Sequence, residues 1–132
     1  MLNLYSVDLT SAAAQIVEWG VKSIQRGTSA TLSQDKKTIY LNTPGVYEIS
    51  VNGYGSTTAA GTFGFQLVGD GEDIVRGAAS MSTAIGGTGN AAFTALVAVN
   101  SAIGTNKAAI SVEYTGGAGT IDLANIVVKK VA

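Results

Sequence analysis

The chain has no cysteine and no histidine among its 132 residues. Without cysteine there is no disulfide framework, no thiol nucleophile and no Cys/His zinc site. Without histidine the commonest general base is missing. Charge is also scarce. Asp, Glu, Lys and Arg make up 13% of the chain, about half the roughly 25% of an ordinary globular domain. The eight Lys and Arg are scattered, with Lys36-Lys37 and Lys129-Lys130 the only doublets. A nucleic-acid partner needs a basic stripe that displaces counterions, so none is expected. The doublets read as charges that keep strand edges soluble. No apolar run approaches the roughly 18–20 residues needed to span a bilayer, so no membrane is expected either. The first eight residues, Met1-Leu2-Asn3-Leu4-Tyr5-Ser6-Val7-Asp8, lack a basic segment followed by a long apolar one. They do not read as a secretory signal, and synthesis in a cytoplasm is expected.

What is abundant is small and β-branched. Gly (17), Ala (19), Thr (14) and Ser (11) fill 61 positions, and Val, Ile and Thr together fill 37. Short alternating segments broken by Gly, Asn, Thr and Ser read as an all-β sandwich or barrel in one domain, residues 1–132. In residues 2–8, Leu2 and Leu4 share one face, with Tyr5 and Val7 toward the other. Residues 12–27 fit a helical face through Ile16, Gly20 and Ile24, or a strand through Val17, Trp19 and Val21; strand or extended loop is preferred. Residues 28–32 and 38–42 form a hairpin across Ser33-Gln34-Asp35-Lys36-Lys37. Thr43-Pro44-Gly45 is a turn. In residues 46–54, Tyr47, Ile49 and Val51 oppose Glu48, Ser50 and Asn52. Residues 62–68 place Phe63, Phe65 and Leu67 together. Gly69-Asp70-Gly71-Glu72-Asp73 turns into residues 74–81, and residues 82–90 read as a flexible loop. Residues 91–99, 107–114 and 120–131 are strands, with a turn at 100–106 and Ile110, Val112 and Tyr114 inward.

Two segments break the rule that a sandwich strand buries one face and wets the other. Residues 91–99 are apolar on both faces. In residues 121–128, Ile121, Leu123 and Val127 oppose Ala124, Ile126 and Val128. With so few helices available to cover a second apolar face, self-association is the economical reading; the alternative is a tightly closed small barrel in which insertions cover that face.

Candidate chemistry is thin. Asp70, Glu72 and Asp73 put three carboxylates within four residues, but without the ligand spacing of a calcium loop, so they read as a solvated turn and only weakly as a metal site. Tyr5, Tyr40, Tyr47, Tyr54, Tyr114 and Trp19 could stack on sugar faces, yet their apolar neighbours favour core or subunit interface. Trp19 is the exception, because its segment is ambiguous. No Gly-x-Ser-x-Gly elbow occurs. Gly69-Asp70-Gly71 and Gly86-Gly87-Thr88-Gly89 lack the lysine and helix of a phosphate loop. No cofactor and no enzymatic activity are expected.

One stretch resembles a known signature. Thr38-Ile39-Tyr40-Leu41-Asn42-Thr43-Pro44-Gly45-Val46-Tyr47-Glu48-Ile49-Ser50-Val51 is similar to the strand–turn–strand of the tumour-necrosis-factor-like jelly roll, the superfamily of complement globular heads. The final segment, Gly119 through Ala132, resembles the last strand of bacterial members such as exosporium glycoproteins, and of phage virion proteins on the same module. Together they span about the last 95 residues; residues 1–30 match less well and read as an N-terminal extension or first strands. The resemblance implies an antiparallel jelly roll of eight to ten strands and a compact homotrimer with apolar and aromatic side chains toward a central axis. The threefold symmetry comes from the resemblance alone; composition supports only self-association. The implied interface candidates are Tyr47, Tyr54, Phe93, Leu96, Tyr114, Ile126 and Val128. The implied function is structural: a trimeric decoration protein on the outer surface of a bacteriophage head, with the major capsid protein as partner, stabilising the capsid or mediating adhesion. The alternative is the receptor- or glycan-binding tip of a phage fibre or of a spore- or cell-surface filament.

Overall fold

The structure is a computed structural model and describes residues 1–99 and 108–132. These residues form strands and turns with no helix. The strands are β1 (Leu2–Ser11), β2 (Gln15–Ile16), β3 (Val21–Gln25), β4 (Ala30–Leu32), β5 (Ile39–Leu41), β6 (Gly45–Thr57), β7 (Gly61–Gly69), β8 (Glu72–Thr83), β9 (Thr88–Val99), β10 (Ala108–Tyr114) and β11 (Gly119–Lys130). The turn read at 100–106 lies outside the described residues.

Two antiparallel sheets pack face to face. The first has the order β3-β1-β11-β6-β9; the second has β4-β5-β10-β7-β8, with β2 added on β10. Alternation decides which side chains meet between them. Leu2 and Leu4, then Tyr47, Ile49 and Val51, enter from the first sheet; Phe63, Phe65, Leu67, Ile110, Val112 and Tyr114 enter from the second. All are buried. Each buried side chain of this size contributes roughly 1.5–3 kcal/mol.

At the centre, Phe63, Phe65 and Tyr114 meet edge to face, with ring centroids 5.4–6.1 Å apart. Gly53 and Gly55 of β6 lie over two of these rings. A Cβ on Gly53 would stand 2.8 Å from the Phe65 ring, and one on Gly55 would stand 2.9 Å from the Phe63 ring. The missing side chains therefore allow the aromatic layer to touch the opposite sheet.

One flank is closed by β8 lying against β9. The other is closed by the segment that sequence alone left between helix and strand. It is extended, as preferred. The Val17 N–H donates to the Val112 carbonyl of β10 at 2.8 Å and the Trp19 N–H to the Lys36 carbonyl of the β4–β5 turn at 2.8 Å, both belonging to the second-sheet side. The Gly20 N–H then donates to Ser6 Oγ of β1 at 2.6 Å. The segment thus crosses from one sheet to the other, and Val17 and Trp19 plug the gap between them. Residues 1–30 are part of the sandwich and supply β1, β2 and β3.

Two sequence expectations change. The flexible loop at 82–90 is mostly strand: β8 runs to Thr83 and β9 starts at Thr88. The short turn between them is docked on β6, with the Gly86 N–H donating to the Thr57 carbonyl at 2.9 Å. Ile121 also faces inward, with Ala124, Ile126 and Val128, and not with Leu123 and Val127. The cause is a β-bulge: the pairing with β6 shifts between Ile121 and Leu123. The extra residue, Asp122, reverses the parity of everything after it. Asp8, opposite on β1, has φ of 53°.

Candidate assembly surface

On the outer face of the first sheet, side chains can be traced in register across four strands. Val7 of β1 lies opposite Leu123 of β11, which lies opposite Tyr54 of β6 and then Asn90 of β9. The next row is Tyr5, Asn125, Asn52 and Ala92; the one after is Asn3, Val127, Ser50 and Thr94. A further row pairs Lys129, Glu48 and Leu96.

Polar groups on this face satisfy one another. Asn125 Nδ2 donates to Asn3 Oδ1 at 2.7 Å and to the Leu4 carbonyl at 2.8 Å. Asn52 Nδ2 donates to Asn125 Oδ1 at 3.3 Å. Ser50 and Thr94 share a hydroxyl contact at 3.1 Å. The charges in these rows are Glu48 and Lys129, which pair at 3.5 Å near one end. Three large apolar side chains stand out from the face: Val7 is 52% exposed, Tyr54 52% and Leu96 66%. A flat face with few charges, internally satisfied polar groups and protruding apolar side chains suits contact with another protein surface.

The seven interface candidates divide. Tyr54 and Leu96 stand on this face and are open to a partner. Phe93 is half-buried and packs against the core of its own protomer. Tyr47, Tyr114, Ile126 and Val128 are a correction: each is at most 1% exposed within one chain. The sandwich itself covers them, leaving no surface for a neighbour. Tyr47 Oη also donates to the Thr43 carbonyl at 2.7 Å, and Tyr114 Oη to the Gly117 carbonyl at 2.6 Å. Strand parity could have separated them, because Tyr47 falls on the face of Ile49 and Val51. Val7 was missed as a candidate, although the same parity places it outward from Leu2 and Leu4.

Of the six aromatic residues considered for sugar stacking, Tyr54 is the one at least half exposed; Trp19, Tyr47 and Tyr114 are fully buried. They do not gather into one stacking groove. The carboxylates Asp70, Glu72 and Asp73 do not converge, and no three metal-ligating side chains group among the described residues. Asp70 serves the hairpin. It and Gly71 form a two-residue turn with φ of 50° and 86°, the geometry of a tight strand-to-strand connection. Its Oδ1 accepts the Ala109 N–H at 2.8 Å, tying the turn to β10. Ser33 and Lys36 have the Ser-x-x-Lys spacing of some nucleophilic hydrolases. Here they sit in the β4–β5 hairpin, and Ser33 Oγ donates to Asp35. Among the described residues, no helix is long and apolar enough to cross a membrane.

No protein-family model matches the sequence, and no curated protein matches it. Solved structures do match the fold. The globular domain of zebrafish complement 1qA superposes with a TM-score of 0.74 at 11% identity, over 99% of this chain and 96% of that one. The Eiger TNF of S. frugiperda gives 0.70 at 14% identity, over 98% and 92%. Murine APRIL gives 0.59 at 13% identity, over 98% of both chains. At such identities the likeness shows the fold: this chain is a single antiparallel jelly-roll sandwich of the kind found in complement globular domains and TNF proteins.

Proposed function

We propose that the protein is a non-enzymatic structural subunit that assembles into a homotrimer through the outer face of the first sheet. The observation that carries this reading is that face itself: Val7, Tyr54 and Leu96 protrude from a sheet whose other side is already the core. Low charge across the whole chain agrees, since interface cores are depleted of charge. The jelly-roll likeness adds the threefold arrangement that such modules adopt.

In its specific form, the trimer decorates the outside of a bacteriophage head, made in the host cytoplasm and bound to the major capsid protein. The resemblance of residues 119–132 to the last strand of phage virion proteins on the same module supports this. The test is cosedimentation of purified trimer with expanded, undecorated heads. Saturable binding that raises the heat resistance of the heads is the expected result. Failure to bind, combined with adsorption to host cells or acidic and neutral glycans, would move the protein to the tip of a fibre or of a spore-surface filament.

A further inference from the structure

A threefold axis cannot set a face against its own copy; only a twofold axis does that. Each protomer must therefore offer its neighbour's outer face a second, different surface. The flank where β8 lies against β9 adjoins that face, because β9 is the end strand of the first sheet. Two β8 side chains continue rows of the face around this rim. The Asn90 N–H donates to Met81 Sδ at 3.0 Å, so Met81, 39% exposed, extends the row of Val7, Leu123, Tyr54 and Asn90. Arg76 lines a hollow of about 290 Å³ with Thr94, Ala95 and Leu96 of β9, so it extends the row of Lys129, Glu48 and Leu96.

Arg76 is placed there by a distortion of β8. Gln66 of β7 pairs with Ala78, but Val68 pairs with Asp73, so residues 74–77 form a bulge. The Gln66 side chain holds it: Nε2 donates to the carbonyls of Leu67 at 2.9 Å, Ile74 at 3.1 Å and Gly77 at 3.3 Å. Within the bulge Arg76 has φ of 66°, a conformation that non-glycine residues adopt sparingly. Bulges of this kind re-aim a side chain. Arg76 is exposed and makes no ion pair among the described residues. At the same level of the face stands the Glu48 carboxylate. Its contact with Lys129 at 3.5 Å is a surface pair, and such pairs are weak. Glu48 is therefore open to a second cation.

We propose that the β8–β9 flank of one protomer seats on the outer face of the next, with Arg76 paired to Glu48 of the neighbouring copy and the threefold axis along the strands. The proposal rests on the homotrimer reading and names the second surface that reading requires. Rotation about an axis along the strands keeps every row at its own level. Met81 then meets Tyr54 and Leu123 of the neighbour, and Arg76 meets Glu48. Apolar faces apolar and cation faces anion, the complementarity that fixes register between partners. Arginine suits the role, because its planar guanidinium can grip a carboxylate with two parallel hydrogen bonds.

The test is a charge-reversal cycle on the full chain, read as the protein concentration at which the trimer half-dissociates in sedimentation velocity. Circular dichroism first confirms that each variant is folded. Arg76→Glu and Glu48→Arg are each expected to raise that concentration about tenfold or more, because each sets like charges together at all three contacts. The double variant restores opposite charges and should assemble about tenfold more tightly than either single one. Arg76→Asn is the second probe of the same position: asparagine accepts the left-handed backbone and removes the charge, so it should fold and weaken assembly about threefold or more. A parent that stays monomeric at every concentration overturns the homotrimer reading and this contact with it. A trimeric parent whose Arg76→Glu and Arg76→Asn variants assemble within about twofold of it overturns the contact alone. So does a double variant no tighter than the weaker of the two single ones.

Discussion

Asn125 Nδ2 donates to Asn3 Oδ1 at 2.7 Å, joining the last strand to the first across 122 positions of sequence. The same amide donates to the Leu4 carbonyl and accepts from Asn52. One side chain thus holds three strands of the first sheet together on the face proposed for assembly. Asn125→Ala is expected to destabilise the fold by about 1–2 kcal/mol, the net worth of a part-buried hydrogen-bonded group. The check is the denaturant midpoint, which should fall with an unchanged slope.

The outer face and the core respond differently to the same substitution. Leu96→Asp places a carboxylate on an exposed position, so the folded protomer should keep its stability to within about 0.5 kcal/mol. Assembly should be lost. Val128→Asp buries an unpaired charge between the sheets and should abolish folding. Circular dichroism and light scattering on the two variants separate these outcomes. If Leu96→Asp unfolds the protein, the placement of Leu96 outside the core is wrong; if it leaves the assembly intact, Leu96 is no part of the contact.

Gly53 is occupied by nothing larger for a steric reason. A Cβ there would meet the Leu123 carbonyl oxygen at 2.7 Å and the Phe65 ring at 2.8 Å. Gly53→Ala is expected to cost about 1–3 kcal/mol through overpacking. Combining it with Phe65→Leu should recover part of that loss, and a double-mutant cycle on thermal midpoints would measure the coupling.

Burial pushes the Tyr114 phenol above its ordinary range. The neutral phenol is therefore favoured in the folded chain. Its contribution is complete below the unfolded pKa of about 10 and is lost as pH rises toward the folded value. Tyr114→Phe should be less stable than the parent at pH 8, where the bond to the Gly117 carbonyl is intact. The gap should narrow above pH 10. Denaturation midpoints of both proteins at the two pH values test this, and a gap that widens with alkali would contradict it.

Much of this architecture is legible in the residue pattern. Alternation alone orients Leu2, Leu4, Phe63, Phe65, Leu67, Ile110 and Val112 inward, and the turns at Pro44-Gly45 and Asp70-Gly71 follow from residue type. The stretch around Trp19 resists such reading because it switches sheets midway: its pairing partners are Val112, Lys36 and Ser6, which no local period encodes. Ile121 is misplaced by periodicity because one bulged residue resets the count. The assembly face is harder still. An apolar residue on a strand looks the same whether it faces the opposite sheet or another subunit, so Tyr47 and Tyr54 fall into one group although one is buried and the other exposed.

The central claim is that this jelly roll is a homotrimer built on the outer face of its first sheet. Light scattering coupled to size exclusion tests it most directly, run on the parent and on Leu96→Asp at several concentrations. The parent should hold a mass of about 40 kDa, three times the 13.3 kDa chain, and Leu96→Asp should elute folded at the mass of one chain. A parent that runs as a 13.3 kDa monomer at every concentration would contradict the account.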